Sequence, residues 1–110
     1  MMSTAEFREM ALGFPEAEEG SHMDHPDFRT RGKIFATLGP GEEWGMVKLT
    51  PTQQQEFLRI SRAFKPAAGK WGEAGATIIS LEIADAADVH KALLAAWQNL
   101  RDKRKSSRKT

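Results

Sequence analysis

Apolar residues recur at the spacing of an α-helix near both ends of the chain and once near its middle. Phe7, Met10 and Ala11 share a face near the start, and Val89 and Leu93 begin a longer apolar stripe near the end. A residue able to cap a helix precedes each stretch, and a glutamate or glutamine follows three positions later in the first two. The pattern predicts helices over Thr4–Leu12, from Pro51 to a point before Pro66, and after Asp85 as far as Leu100.

The segments between these helices alternate apolar and polar residues, which is typical of strands with one buried face. Gly32 and the turn at Gly39–Glu42 separate consecutive segments and favour an antiparallel meander. Residues 61–76 are rich in glycine, proline, alanine and lysine, show neither pattern, and are predicted to form a loop. The predicted strands are Glu18–Met23, Phe28–Arg31, Lys33–Leu38, Trp44–Leu49 and Thr77–Ile83.

The order of these elements, α-β-β-β-β-α-β-α, predicts an α+β two-layer sandwich. An antiparallel sheet of about five strands is expected, packed by the N-terminal and C-terminal helices. Strict alternation of side chains divides the strand residues between a helix-packed face and an opposite face that mixes basic and aromatic groups. The helix-packed set is Ile34, Ala36, Leu38, Gly45, Val47, Leu49, Ile79, Leu81 and Ile83. The opposite set is Lys33, Phe35, Thr37, Trp44, Met46 and Lys48, which Arg29 and Ile78 are expected to join.

Composition narrows the class of protein further. The chain has 110 residues and no cysteine, which indicates one domain without disulfides or thiolate metal sites. We expect a cytoplasmic protein, because no signal sequence or membrane-spanning segment is visible. The last ten residues carry six basic side chains and one acidic, whereas the first hundred carry ten basic and fourteen acidic. We predict a single domain over residues 1–104 and a basic disordered tail over residues 105–110. Basic tails of this kind often contact anionic partners.

Four stretches of the chain form a recognisable set of motifs. The most specific is His25–Leu38, read as HPDFRTRGKIFATL, followed by Trp44–Pro51, read as WGMVKLTP; the others are Gly69–Thr77 and Ala95–Leu100. Together they resemble the MmcQ/YjbR family of bacterial proteins, and the resemblance covers about residues 5–104. It implies a YjbR/CyaY-like fold with an antiparallel sheet backed by helices. It also implies DNA binding, through analogy to a double-wing arrangement.

We therefore predict a small non-catalytic nucleic-acid-binding protein with no cofactor. Basic side chains would neutralise phosphates, and exposed aromatic rings would stack on bases. The predicted nucleic-acid-binding residues are Arg29, Arg31, Lys33, Lys48 and Lys70 in the domain and Lys103, Arg104 and Lys105 near its end.

Two alternatives stay open at this point. Phe35, Trp44 and Trp71 could form a groove beside the 61–76 loop, in which case the protein would bind a peptide or small molecule instead of DNA. The cluster His22, Asp24, His25 and Asp27 contains metal-ligating side chains, but its spacing matches no known metal motif, and we predict no metal site and no enzyme activity. We expect a monomer or a weak dimer.

Overall fold

The computed structural model describes residues 2–23, 25–39 and 43–109, and only the backbone of residues 102–109. It confirms an α+β fold with helices at both ends. In chain order the elements are α1 (Thr4–Leu12), β1 (Ala17–His22), β2 (His25–Thr30), β3 (Lys33–Leu38), β4 (Trp44–Lys48), α2 (Pro51–Ile60), β5 (Phe64–Pro66), α3 (Gly69–Glu73), β6 (Ala76–Ser80) and α4 (Ala86–Lys109).

Local capping signals determine where the first two helices begin. Ser3 accepts a hydrogen bond from the backbone N–H of Glu6, whose side chain accepts one from the Ser3 N–H. Thr50 and Gln53 form the same reciprocal pair at the start of α2. Each pair satisfies two backbone donors that a helix terminus leaves without partners, so both helices begin where the sequence predicts.

The sheet has six antiparallel strands in the order β1-β2-β3-β4-β6-β5, one more than predicted. The additional strand, β5, lies within residues 61–76, and so does the short helix α3; the prediction of a loop there is wrong. β5 has only three residues and lies at the sheet edge, so it shows too little alternation to be recognised. The last strand ends at Ser80, which leaves Ile83 half exposed rather than in the predicted core.

A β-bulge in β3 changes which residues face the helices. Ala36 pairs with Phe28, but Ile34 pairs with the next residue, Arg29, so Phe35 has no partner on β2. Phe35 is fully buried and packs edge-on against Phe14, with ring centroids 6.3 Å apart. The prediction that Phe35 lies on the face opposite the helices is wrong. Ile34, which was assigned to the core, is only half buried and shares the side of its partner Arg29.

The core lies between the sheet and helices α1 and α4. Phe7, Phe28 and Leu93 are fully buried there, and the Phe7 and Phe28 rings are 6.0 Å apart. Gly45 makes room for this packing, since a Cβ at that position would lie 2.8 Å from the Phe7 ring. We call the other side of the sheet the open face; cross-strand pairing places on it Arg29, Ile34, Thr37, Met46, Lys48 and Ile78.

α4 continues beyond the predicted end of the domain. Its backbone is helical through Lys109, and the disordered tail expected over residues 105–110 stays a prediction. Thr110 lies outside the described residues, and the domain limits stay a prediction. No helix within the described ranges is both long enough and apolar enough to span a lipid bilayer.

Candidate functional site

Lys48, Lys70 and Trp71 come together at the end of β4. The Lys48 ammonium lies 5.4 Å from the centroid of the Trp71 ring, within cation–π range. Trp71 is 61% exposed, whereas every other phenylalanine and tryptophan among the residues described is buried or half-buried. A pocket of about 350 Å³ opens beside it. We call this the lysine–tryptophan pocket; it is lined by Lys48, Leu49, Lys70, Trp71, Ala74 and Ala76.

Three glycines allow α3 to pack close to the sheet while it carries Trp71. Gly69 and Gly75 have φ angles of +67° and +116°, which side chains other than glycine rarely adopt. Gly72 is buried, and a Cβ there would lie 1.8 Å from the carbonyl oxygen of Ala67. Gly75 forms the turn that leads into β6, whereas Gly72 is required for close packing.

Gln54 ties this segment to α2, and sequence reasoning missed it. The side chain is buried, and its Nε2 donates to the carbonyl oxygens of Gly72 and Ala76, each at 3.0 Å, and lies 3.3 Å from Thr77 Oγ1. A glutamine within a helix usually faces solvent. Its spacing of three residues from the buried Phe57 was the available signal, because residues three apart share a helix face.

The predicted cations divide into paired and unpaired groups. Arg29 is hydrogen-bonded through two nitrogens to Asp27, and Arg31 pairs with Glu16 at 2.9 Å. Neither Lys48 nor Lys70 forms an ion pair with any residue that the structure describes, so their charges are available to an anion. Lys33 is exposed at the β2–β3 turn and is likewise without an ion pair in that part of the chain.

The aromatic residues predicted to form one groove do not meet. Phe35 is buried in the core. Trp44 begins β4 and Lys48 ends it, so they lie roughly 13 Å apart along the strand. The Trp44 ring instead packs on Gly39, where a Cβ would be 2.1 Å from the ring. Of the three, only Trp71 is largely exposed.

The basic C-terminal part of α4 extends from a point close to the lysine–tryptophan pocket. Asn99 of α4 donates from Nδ2 to the Lys48 carbonyl oxygen at 3.3 Å and to Gln53 Oε1 at 2.8 Å. Arg101 stacks on Trp97, 4.7 Å from the ring centroid, and pairs with Glu16 at 3.0 Å. The side chains of Lys103, Arg104 and Lys105 lie outside the described residues, but the α4 backbone that carries them continues from Asn99, which contacts the end of β4.

Comparison with known proteins shows which family the chain belongs to. The YjbR family profile matches residues 12–99, which is most of the chain. The chain belongs to the YjbR family. The resemblance noted in the sequence is thereby confirmed.

A solved structure with a similar fold supports the fold assignment. The crystal structure of a protein from Pseudomonas syringae superposes with a TM-score of 0.68, covering 88% of this YjbR chain and 97% of the other. The two sequences are 19% identical, so the likeness concerns the fold alone. No curated protein sequence matches the chain.

The histidine and aspartate cluster considered as a metal site is partly engaged in other contacts. Asp27 is fully buried and accepts hydrogen bonds from Arg29 Nε at 2.6 Å and Nη2 at 3.0 Å, while His22 Nδ1 lies 2.8 Å away. Gly20 leaves space for this group, since a Cβ there would be 3.0 Å from Arg29 Nε. His22 and His25 stack with ring centroids 6.1 Å apart. Asp24 lies outside the described residues, and no trio of potential metal ligands is found within the rest.

Asp27 gives the folded protein a dependence on acid that can be measured. Hydrogen bonds from Arg29, and to a lesser degree His22, hold the pKa of Asp27 below its ordinary value although burial acts to raise it. The carboxylate therefore stabilises the fold fully above its unfolded pKa of about 3.9, and this contribution is lost as the pH falls through the folded pKa. We expect Asp27→Asn to lower the free energy of unfolding at pH 7 by roughly 1–2 kcal/mol, because the hydrogen bonds to the carboxylate are weakened. The loss is no larger because solvent screens the partly exposed partners of Asp27.

Urea unfolding of both proteins between pH 7 and pH 2 measures this effect. The free energy of unfolding of the Asn variant should fall less steeply below pH 4 than that of the parent protein. Glu9→Gln is the control, because Glu9 is exposed and has no ion pair with the described residues. Parallel curves for the parent protein and Asp27→Asn would contradict the assignment.

Proposed function

We propose that this protein binds nucleic acid without catalysing a reaction, through the lysine–tryptophan pocket and the basic end of α4. The observation that carries the proposal is the placement of two unpaired lysines beside an exposed tryptophan. Lysines that neutralise phosphates release condensed counterions, and this release supplies most of non-specific nucleic-acid affinity. An exposed indole adds a surface on which bases of any sequence can stack.

The pairing of the other cations limits where contacts are expected. Arg29 and Arg31 would have to leave Asp27 and Glu16 before they could contact a phosphate, so we assign them a minor role. Lys33 is free of such a partner among the described residues and is a candidate for a peripheral contact. Lys103, Arg104 and Lys105 would extend the positive surface, because α4 passes the end of β4 at Asn99.

Fluorescence polarisation with a labelled DNA oligonucleotide across a salt series tests the proposal. We expect log affinity to fall linearly with log salt concentration, and Lys48→Ala or Lys70→Ala to reduce that slope by about 0.7–0.9 each. A chain ending at Leu100 should lose affinity and slope further. Lys91→Ala is the matched control, since Lys91 is an exposed lysine on α4 about 12 Å along the helix from Asn99.

Two results would reject the proposal. One is binding that does not change with salt. The other is a response of Lys48→Ala and Lys70→Ala that equals that of Lys91→Ala, because the pocket would then contribute only general charge.

A protein- or small-ligand-binding role is the second candidate. The apolar lining by Leu49, Ala74 and Ala76 favours it, because small-molecule sites are mostly apolar with a few placed polar groups. This role predicts a change in tryptophan fluorescence with a peptide or metabolite and no response to DNA in the same titration.

A further inference from the structure

We propose that the lysine–tryptophan pocket takes one unpaired nucleotide of a single strand, with its base stacked on Trp71 and its flanking phosphates held by Lys48 and Lys70. This inference rests on the proposed nucleic-acid binding and deepens it. It commits the site to single-stranded nucleic acid in preference to a duplex.

The exposure of Trp71 points to a flat partner. The ring is 61% exposed, although burial of a tryptophan would stabilise the fold considerably. The Lys48 ammonium lies over the ring, 5.4 Å from its centroid, and would move from that face to a flanking phosphate when a base stacks there. A base that stacks on the ring brings its phosphates within the reach of long, flexible lysine side chains. The tryptophan then contacts the base, and the lysines contact the phosphates.

The size and setting of the pocket favour an unpaired base. Its volume of about 350 Å³ is near the lower end of the range for small-ligand sites, roughly 300–1,000 Å³, which suits one base rather than a longer stack. Within a duplex, both faces of each internal base are covered by its neighbours, so Trp71 could stack there only by unstacking a base step or flipping a base out, each at a cost of a few kcal/mol. The five-residue helix that carries Trp71 is also too short to act as a recognition helix in a major groove.

The platform is fixed before a ligand arrives. Gln54 bonds to the carbonyl oxygens of Gly72 and Ala76 on either side of the Gly75 turn, and Gly72 packs against Ala67. The backbone beneath Trp71 is therefore ordered without ligand. A preorganised surface loses little conformational entropy on binding, so stacking at a single ring can contribute measurable affinity.

Polarisation titrations with labelled oligo-dT and with a labelled duplex of the same length test the inference. We expect the parent protein to prefer oligo-dT. Trp71→Ala should weaken oligo-dT binding roughly 5- to 150-fold and change duplex binding less than twofold. Trp71→Phe should retain most of the affinity, because phenylalanine preserves a stacking surface. Trp44→Phe is the control, since the Trp44 ring is packed on Gly39.

The salt slope separates stacking from charge. Trp71→Ala should leave the slope for oligo-dT unchanged while lowering its affinity, whereas Lys70→Ala should lower both. If Trp71→Ala weakens neither ligand, or weakens both equally, the single-strand inference is overturned while the proposed nucleic-acid binding stands on the lysine variants. If neither ligand binds at all, the proposed function fails together with it. If free dTMP competes at the concentration that oligo-dT requires, the site takes a nucleotide and not a strand, which also overturns the inference.

Discussion

Phe35→Ala will lower the free energy of unfolding by about 3–5 kcal/mol, whereas Ile34→Ala will lower it by no more than about 1–2 kcal/mol. Phe35 is fully buried against Phe14, so its removal leaves a cavity in the core. Ile34 is half buried on the open face, where its removal sacrifices less burial and solvent can fill the space. Urea unfolding followed by circular dichroism measures both variants.

The comparison tests the bulge directly. Strict alternation along β3 assigns Ile34 to the core and Phe35 to the opposite face, and it therefore predicts the reverse order of effects. Equal losses, or a larger loss for Ile34→Ala, would show that β3 pairs with β2 without Phe35 as an extra residue opposite Phe28 and Arg29. Phe14→Ala should also destabilise the protein, because the same aromatic contact is lost.

The success of the sequence predictions depended on how local each signal was. The capping pairs at Ser3 and Thr50 lie within four residues, so the helices α1 and α2 were predicted at their N-termini. The bulge is different, because it is defined by the pairing of two strands and appears in neither strand alone. β5 is held by pairing with β6, and its three residues carry no period of their own.

The candidate site was predicted in parts that the sequence did not connect. Lys48 and Lys70 were predicted as phosphate contacts, and Trp71 was assigned to a separate ligand face. Only the pairing of β4 with β6 brings α3 back beside the end of β4. The cations assigned to the β2–β3 hairpin were chosen by charge alone, and sequence cannot show that Asp27 and Glu16 already neutralise Arg29 and Arg31.

The turn at Gly75 connects the stability of the fold to the proposed site. Its φ angle of +116° is unfavourable for alanine, and a Cβ there would lie 1.9 Å from the Leu49 carbonyl oxygen. The Gly75 carbonyl oxygen also accepts hydrogen bonds from the Leu49 N–H at 3.3 Å and from Thr77 Oγ1 at 2.8 Å. The segment that follows Trp71 is therefore held between β4 and β6 through contacts that no larger residue can preserve.

We expect Gly75→Ala to lower the free energy of unfolding by on the order of 3 kcal/mol, since backbone strain and overpacking each cost about 1–3 kcal/mol. Gly32→Ala is the matched control: its φ angle is +80°, but nothing lies within 4 Å of the added Cβ, so only the strain applies. Thermal and urea unfolding compare the two. At a temperature where both variants are folded, Gly75→Ala should also weaken oligo-dT binding, because α3 must shift to relieve the contact with Leu49, and Gly32→Ala should not. Equal stability losses would mean that the backbone around Gly75 moves away from Leu49 at little cost. The argument that Trp71 is held in place before binding would then fail.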